Sequence, residues 1–421
     1  MSRSASSAPS RGFRSAADRP RLARGRTAAR GRSPLAVVFA TVFLDLVGFG
    51  IVIPLLPLYA QRFGAGPVAA AWLLSIYSLM QFLFAPWWGR LSDRVGRRPV
   101  LLVGIFGAAL SYLACGLAGS LAWLFAARAA NGLMGANVGV AQAYIADVTP
   151  PAERARGMGL IGAAFGLGFI FGPAIGGFLS RWGPEAPFLG AAALSAANGV
   201  LAWFRLPESL SEEVRRAAPR RGVSLRARLG TVLDAAPRLR GLYGTVFVVT
   251  MGIAGAEATM ALWAGRRWGL GFESVGYGLA LVGLIAAVAQ GLLVGPLVRR
   301  IGERTSGLLG LALIATGMAL VPLAPSLGLV LAAAAVFAMG QAAATPAVYA
   351  MISHQGGAGD QGRILAATQS LNALARVLGP WLAGAAFAAI GIAAPYAGGA
   401  LLAGVALLIL AVTVRGGQVH R

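Results

Sequence analysis

The 421-residue sequence contains no lysine, a single cysteine and only two histidines. Without lysine it cannot form the phosphate-binding GxxxxGK[ST] loop, which excludes ATP-driven transport by this chain alone. The lone Cys115 can form no disulfide within the chain, and so few thiol and imidazole ligands argue against a dedicated metal centre. We therefore predict that the protein needs neither a metal nor a cofactor.

Charge is also scarce. Charged residues make up 12% of the chain and hydrophobic residues 57%, and the mean hydropathy is +0.72. Apolar runs of about 20 residues, each long enough to cross a bilayer as a helix, recur along the whole length. We predict an all-α integral membrane protein whose twelve transmembrane helices lie at about 34–60, 69–88, 99–118, 121–146, 157–180, 186–205, 240–264, 274–298, 306–325, 327–353, 363–388 and 392–414.

Acidic residues number 14 against 36 arginines, which gives a formal net charge of +22. Thirty arginines lie in the two tails and in the loops on the same side of the membrane, and only four lie in the opposite loops. The positive-inside rule then predicts a multi-pass protein of the cytoplasmic membrane with both termini and the central loop in the cytoplasm. The charge indicates contact with membrane lipids and no nucleic-acid partner. The composition of residues 1–33 fits a disordered basic tail, or alternatively a targeting segment.

The sequence repeats itself on either side of a polar segment. The stretch "GRLSDRVGRR" after the second span is matched by "GPLVRRIGER" after the eighth, at an offset of 206 residues. The string "GPAIGG" in span 5 is matched by "GPWLAG" in span 11, at an offset of 207. We predict two pseudo-symmetric six-helix halves, as in many transporters. The predicted boundaries are a basic cytoplasmic tail at 1–33, the halves at 34–205 and 240–414, a cytoplasmic central loop at 206–239 and a second tail at 415–421.

Four motifs together resemble the major facilitator superfamily, and within it the twelve-helix drug:proton antiporters of the tetracycline-exporter type. They are "LDLVGFGIVIPLLPLY" at 44–59, "GRLSDRVGRR" at 89–98, "RAANGLMGANVGVAQAYIADVTPPAERARGMG" at 128–159 and "GLGFIFGPAIGG" at 166–177. The resemblance covers 34–414. It implies the major facilitator fold and proton-coupled export of amphipathic small molecules or drugs by alternating access, with tetracycline-like compounds among the candidates. A metabolite facilitator or importer of the same superfamily is the alternative. An integral-membrane enzyme would need a convergent catalytic set, and the spans offer none.

The segment at 89–98 joins two apolar spans with a concentrated group of charges. Its glycines permit a tight turn and a close approach of helix ends, and its aspartate can face the positive end of another helix. The resemblance implies that this partner is the start of span 11, near Gly362 and Arg363. We interpret the segment as a gate that holds the cytoplasmic side shut in one state, a plain positive-inside anchor being the alternative. The candidate gating residues are Gly89, Asp93, Arg94, Gly96, Arg97 and Arg98.

Four charges lie within the predicted spans, where each one is costly. They are two acids, Asp45 and Glu257, and two bases, Arg128 and Arg376. We expect Asp45 to pair with Arg128 and Glu257 with Arg376. Because the proton affinity of a buried carboxylate depends on desolvation and on nearby charge, Asp45 is the first candidate for proton coupling, with Arg128 as its modulator and Glu257 second. Static ion pairs that only fix the packing are the alternative.

Small and polar residues within spans give the remaining candidates. In span 5 the small residues and a helix-bending proline predict a tightly packed helix that limits leak, formed at Gly168, Gly172, Pro173, Gly176 and Gly177. Polar side chains within spans either line a cargo cavity or join helices by hydrogen bonds, and they include Gln81, Gln142, Gln290, Gln341, Gln369 and Asn372. Glu257, Arg376 and Asn131 depart from the tetracycline-exporter pattern, so the resemblance implies the antiporter class more strongly than it implies tetracycline as cargo.

Overall fold

The computed structural model describes residues 34–135, 137–149, 153–217, 230, 232, 234–355 and 361–415. The regular structure in this part of the chain is helical. The helices are α1 (Pro34–Val52), α2 (Leu56–Gln61), α3 (Pro67–Val95), α4 (Arg97–Gly116), α5 (Leu121–Met134), α6 (Asn137–Val148), α7 (Arg154–Leu179), α8 (Ala186–Arg205), α9 (Glu212–Ala217), α10 (Pro237–Trp268), α11 (Phe272–Val288), α12 (Gly295–Leu320), α13 (Leu327–Ser353), α14 (Gln361–Ala389) and α15 (Ala394–Arg415).

Local sequence signals explain several helix ends. Pro67 and Pro237 are the first residues of α3 and α10, where a missing N–H costs no hydrogen bond. Ser120 and Ser326 cap α5 and α13, each accepting a hydrogen bond from a backbone N–H three residues on. Gly269 ends α10 in the left-handed conformation, with φ at +65°.

Ten helical segments of the described chain are long and apolar enough to cross a membrane. The two other predicted spans fall on α5 followed by α6, which flank residue 136, and on the part of α12 that follows Gly302. Gly302 has a φ of +75° and kinks α12 there. A π-helical turn at Ala289–Val294 joins α11 to α12. The all-helical membrane fold is as predicted, and the two interrupted spans remain predictions.

The prediction of a turn at 89–98 is wrong, because most of this segment is helical. Helix α3 continues to Val95 and α4 begins at Arg97, so only Gly96, with φ at +117°, separates them. The apolar run ends near residue 88, but residues 90–95 contain no proline or glycine to stop the helix. Gly89 therefore lies inside α3, where a Cβ would meet nothing within 4 Å, and it serves no tight turn.

The helices pack in two equivalent sets. In the first half α1 packs on α7 and α8, and α4 packs on α5 and α8; in the second half α10 packs on α14 and α15, and α12 packs on α13 and α15. Two further pairs, α3 with α14 and α7 with α11, join the halves. Each helix of one set corresponds to one of the other, so the internal repeat of the sequence is visible in the packing.

Glycines show this equivalence at the level of single contacts. A Cβ on Gly172 of α7 would lie 2.6 Å from the backbone of Gly50 in α1, and one on Gly255 of α10 would lie 2.9 Å from the carbonyl oxygen of Gly379 in α14. Side chains at these positions would push the helices apart, because real Cβ atoms do not approach backbone so closely. Glycine thus sets the helix spacing at the same place in both halves.

Candidate transport site

The four charged side chains within the spans occupy two kinds of environment. Arg128 is fully buried and Asp45 is half-buried, whereas Glu257 and Arg376 are exposed although each lies well inside a long helix. Exposed charge at such positions indicates open space between the helices. Among the described residues no ion pair within 4.0 Å joins any two of the four. The expected pairs, Asp45 with Arg128 and Glu257 with Arg376, are therefore not in direct contact in this structure.

Arg376 faces groups from both halves of the molecule. Its charge acts on Tyr77 of α3, on Tyr349 of α13 and on Glu257 of α10. Arg376 of α14 therefore lies near two other helices of the second half and one helix of the first. An exposed cation at the boundary between the halves is placed to meet a solute that enters between them.

Amides and hydroxyls extend this polar region on both sides. Asn372 lies one helical turn before Arg376, donates a hydrogen bond to the hydroxyl of Tyr349 and accepts one of 2.9 Å from the hydroxyl of Thr250. In the first half Gln81 donates to the carbonyl oxygen of Gly135 at 2.5 Å, with the Tyr77 hydroxyl 3.4 Å away. We call the whole set the central cluster: Tyr77, Gln81, Thr250, Glu257, Tyr349, Asn372 and Arg376.

The other predicted polar positions lie apart from these hydrogen bonds. Gln142 and Gln341 are half-buried, and Gln290 and Gln369 are exposed. No described hydrogen bond links them to the central cluster. Of the predicted cargo-binding residues, the structure thus places Gln81 and Asn372 in the cluster and does not bring the others into it.

Arg128 is stabilised by an amide, a backbone carbonyl and an aromatic ring, and not by a carboxylate. Its Nη1 atom donates to the side-chain oxygen of Asn131 at 3.0 Å, and its Nε atom lies 3.5 Å from the carbonyl oxygen of Leu73. The guanidinium carbon lies 4.7 Å from the centre of the Tyr77 ring, a cation–π contact. These contacts explain why Arg128 does not need Asp45, and only its Nη2 atom is buried without a partner among the described residues.

Asp45 is bound by an amide of α6 and forms no ion pair with Arg128. Its Oδ1 atom accepts a hydrogen bond of 3.3 Å from the side-chain amide of Asn137, which begins α6. Its charge also acts on Tyr77 of α3 and Tyr112 of α4. Asp45 is therefore a carboxylate with an amide partner and neighbouring phenols, in contact with helices of the first half.

The charged residues at the junction of α3 and α4 form a compact network centred on Arg97. Its Nη1 atom lies 2.6 Å from Asp93 and donates to the Ser92 hydroxyl at 2.7 Å, and its Nε atom lies 3.1 Å from Asp147. The Arg97 side chain is only 10% exposed, whereas that of Asp93 is 47% exposed. The network links the junction to the end of α6.

Two other members of the predicted gate lie at the edge of this network. Arg98 donates to the carbonyl oxygen of Trp203 at 2.5 Å, and Arg94 is exposed. The expected partners of Asp93, Gly362 and Arg363, have side chains outside the part that the structure describes. Arg97 is the described partner of Asp93.

Sequence reasoning missed Glu208, which binds this junction from the start of the central loop. Its carboxylate accepts hydrogen bonds of 2.9 and 3.1 Å from the backbone N–H groups of Arg97 and Arg98, at the first turn of α4. It also accepts bonds from the backbone N–H groups of Ser209 and Leu210. A carboxylate is favoured at a helix N-terminus. The separation of 111 residues left no local signal by which the contact could be found.

The predicted antiporter motif of α7 packs against two helices. A Cβ on Gly168, Gly172 or Gly176 would lie 2.6 to 3.0 Å from atoms of α1. A Cβ on Gly177 would lie 3.0 Å from a backbone oxygen of α11, and the carbonyl of Pro173 faces α11 as well. One helix thus uses small residues both to pack its own half and to touch the other.

The α3–α14 and α7–α11 contacts between the halves seal the end of the bundle that carries few arginines, here called the Arg-poor end. Ser75 of α3 donates to the carbonyl oxygen of Val377 in α14 at 2.8 Å. Beyond α7, Arg181 pairs with Glu273 of α11 at 2.5 Å. The structure is therefore closed at the Arg-poor end.

Comparison with known proteins agrees with this architecture. The family model of the Major Facilitator Superfamily matches residues 38–290 and 242–419. The tetracycline resistance protein of class C from Escherichia coli is 36% identical over 391 residues, which are 90% of this chain and 96% of the relative. The class B protein of Escherichia coli is 32% identical over 83% of this chain and 87% of the relative.

Solved structures show the same fold. The crystal structure of the human organic anion transporter MFSD10 (TETRAN) has a TM-score of 0.69 and 26% identity, over 89% of this chain and 98% of that chain. A peptide transporter in complex with sulfate has a TM-score of 0.74 at 14% identity, over 91% of this chain and 94% of that chain. At that identity the second likeness concerns the fold alone.

The family match spans nearly all of the described helices, and the relatives match the chain over most of their own length. The predicted resemblance and the pseudo-symmetric helical fold are confirmed. The chain is a multi-pass membrane transporter and not an enzyme. It belongs to the major facilitator superfamily and, within it, to the group that contains the tetracycline resistance proteins.

Proposed function

We propose that this protein exports amphipathic small molecules or drugs from the cytoplasm in exchange for protons, by alternating access of its two halves. The observation that carries the proposal is the central cluster, which presents both signs of charge, amides and hydroxyls between the halves. An amphipathic cargo needs a small number of convergent polar groups to orient it. The relatives named as tetracycline resistance proteins make tetracycline-like compounds the first cargo to test.

The orientation follows from the arginines. The positive-inside rule places the Arg-rich loops in the cytoplasm, so the Arg-poor end faces the outside of the cell. The contacts that close the Arg-poor end therefore block access from outside. Export then requires these contacts, Ser75 with Val377 and Arg181 with Glu273, to part while the opposite end closes. The halves at 34–205 and 240–414 are the moving bodies in this proposal.

Asp45 is proposed to carry the coupled proton. A carboxylic acid among helices, without a cationic partner in direct contact, can bind and release a proton as helix movement changes the charge and water around it. Arg128 modulates it, because Tyr77 interacts with both groups. Glu257, beside Arg376 in the central cluster, is the second candidate and also suits recognition of a cationic part of the cargo.

Substituting Asp45 by Asn tests the proton role. The amide keeps the size of the side chain and removes the titratable group, so pH-driven uphill export should fall to background. Downhill exchange of cargo should persist, since the central cluster is unchanged. Because Arg128 has its own partners, yield and melting temperature should stay near those of the wild type. The measurements are drug accumulation with a pH gradient and counterflow without one, both in proteoliposomes.

The double variant Asp45→Asn with Arg128→Gln is the control for a purely structural role. If the two residues only balance each other's charge, the double change restores uphill export. Restored export would remove Asp45 from the mechanism and leave Glu257 as the coupling candidate.

A further inference from the structure

A small buried cavity lies beside Asp45, among helices that contribute nothing to the central cluster. Its volume is about 10 Å³, close to the smallest space that holds one water molecule. The lining comes from α1, α4 and α6: Thr41, Val42, Asp45, Leu101, Ile105, Asn137 and Val138. Three of these residues are polar, so the cavity has the number of polar groups that an ordered water requires.

Thr41 supplies the second observation. Its hydroxyl is buried and has no hydrogen-bond partner among the described residues, and the residue as a whole is only 3% exposed. Other buried helix threonines of this chain satisfy themselves: Thr245 and Thr368 donate to the carbonyl oxygen four residues earlier, at 3.0 Å. A buried hydroxyl left without a partner is costly. Thr41 lies one helical turn before Asp45 and borders the same cavity.

We propose that this cavity binds one water molecule, which bridges the hydroxyl of Thr41 and the carboxylate of Asp45. The inference rests on the proposed proton role of Asp45 and adds a residue that controls it. The water's hydrogen bond favours the ionised carboxylate after the proton has left. Thr41 holds that water in place and is a positioning residue that acts on Asp45 through it.

Few other groups near Asp45 could stabilise its ionised carboxylate. The titratable side chains in electrostatic reach are Tyr77 of α3 and Tyr112 of α4, and Arg128 acts on both. Helix α6 contributes the amide of Asn137. Helix α7 faces α1 with glycines.

Helix α8 faces the same stretch of α1 with Ser195 and Asn198. The Asn198 side-chain amide donates to the backbone oxygen of Thr41 at 2.9 Å and not to its hydroxyl. Among the described residues the Asn198 Oδ1 atom, the Ser195 hydroxyl and the Thr41 hydroxyl are all buried without a hydrogen-bond partner. The described surroundings of Asp45 therefore contain no lysine, histidine or second carboxylate that would compete with the proposed water.

Thr41→Val tests the proposal, since valine keeps the shape of threonine and removes the hydroxyl. With tetracycline as cargo in proteoliposomes, the pH of half-maximal uphill export should move up by about one unit, because the ionised carboxylate of Asp45 loses the hydrogen bond from the water. Downhill counterflow should be unchanged. Thr41→Ser should keep the wild-type profile. Thr245→Val is the matched control, a buried threonine of α10 whose hydroxyl bonds within its own helix, and it should also keep the profile.

A wild-type pH profile for Thr41→Val, alongside loss of uphill export in Asp45→Asn, would overturn the water site and leave the proposed function standing. Uphill export that survives Asp45→Asn would overturn both. If Thr41→Val fails to insert, Val138→Leu decides the matter, because it fills the cavity from α6. It should give the same upward shift, and an unshifted profile would overturn the water site.

Discussion

Arg97 shows how a single residue organises the junction of α3 and α4, which we propose is the cytoplasmic gate. Its guanidinium is nearly buried between Asp93 and Asp147, and its backbone N–H is bound by Glu208. Hydrogen bonds between charged partners are roughly twice as strong as neutral ones. Arg97 therefore fixes α3, α4 and α6 relative to one another at the Arg-rich end, and the central loop is attached through Glu208. If the junction is the gate, a change in this network should alter how the Arg-rich end closes.

We expect Asp93→Asn to reduce transport by about tenfold or more, equivalent to ~1.4 kcal/mol, with membrane insertion and yield near normal. The substitution removes one of the two acids that hold Arg97, while Asp147 still neutralises the guanidinium. Glu212→Gln is the matched control: Glu212 forms an exposed pair with Arg216 on α9, and exposed pairs contribute little. Normal drug export in cells carrying Asp93→Asn would remove Asp93 from the gating mechanism.

The charged residues within the spans could be found from the sequence, but their partners could not. A charge inside an apolar run stands out whatever the fold, which is why Asp45, Arg128, Glu257 and Arg376 were identified. Balance of charge suggested two ion pairs, and the structure instead gives Arg128 an amide and a ring, and Asp45 an amide. Amides, carbonyls and aromatic rings occur throughout a sequence, so nothing in the sequence indicates which of them will contact a buried charge.

Helix α7 illustrates how an element serves two packing roles. Its glycines bring α1 close on one side, and Gly177 touches α11 of the other half. The equivalent residue Gly384 of α14 does the same against α3: a Cβ on either glycine would lie 3.0 Å from a backbone oxygen, that of Glu273 or of Pro67. These two symmetric contacts close the Arg-poor end, and alternating access requires both to open.

A cross-link across one of these contacts should lock the transporter. A Cβ on Gly384 would lie 2.6 Å from the Cβ of Ala71. A disulfide holds the two Cβ atoms about 3.8 Å apart, so the helices need to separate by about 1 Å for the bond to form. In a Cys115→Ala background, Ala71→Cys with Gly384→Cys should cross-link on oxidation and lose drug export, and reductant should restore it. Ala71→Cys alone should be insensitive to oxidant. Full transport by the cross-linked protein would show that α3 and α14 do not separate.

The apolar runs predicted the positions of the helices, but they predicted the helix ends less accurately. The bilayer requires about 20 apolar residues, which places the spans, but it does not say how far a helix continues beyond the membrane. Helix α3 extends seven residues past the predicted end at 88. The π-helical turn at Ala289–Val294 and the kink at Gly302 had no sequence signal in the hydrophobic pattern.

The molecule as a whole is two copies of one helical plan, joined mainly where α3 packs on α14 and α7 packs on α11. The repeat offsets of 206 and 207 residues recur as equivalent contacts in the structure, Gly177 with Glu273 and Gly384 with Pro67. In the proposed mechanism these symmetric interfaces let the halves rock about the central cluster. We propose that the asymmetry needed for proton coupling lies in the side chains, since Asp45 is in the first half and the exposed Glu257 and Arg376 are in the second.

The central claim is that cargo moves outward in exchange for protons. Everted membrane vesicles that contain the protein, energised so that the lumen is acidic, test it most directly, with tetracycline as cargo and a fluorescent reporter of lumenal pH. The account predicts that tetracycline accumulates in the lumen, that its addition makes the lumen less acidic, and that a protonophore or Asp45→Asn abolishes both effects. Tetracycline accumulation that a protonophore leaves unchanged, or cargo movement out of the lumen together with protons, would contradict it.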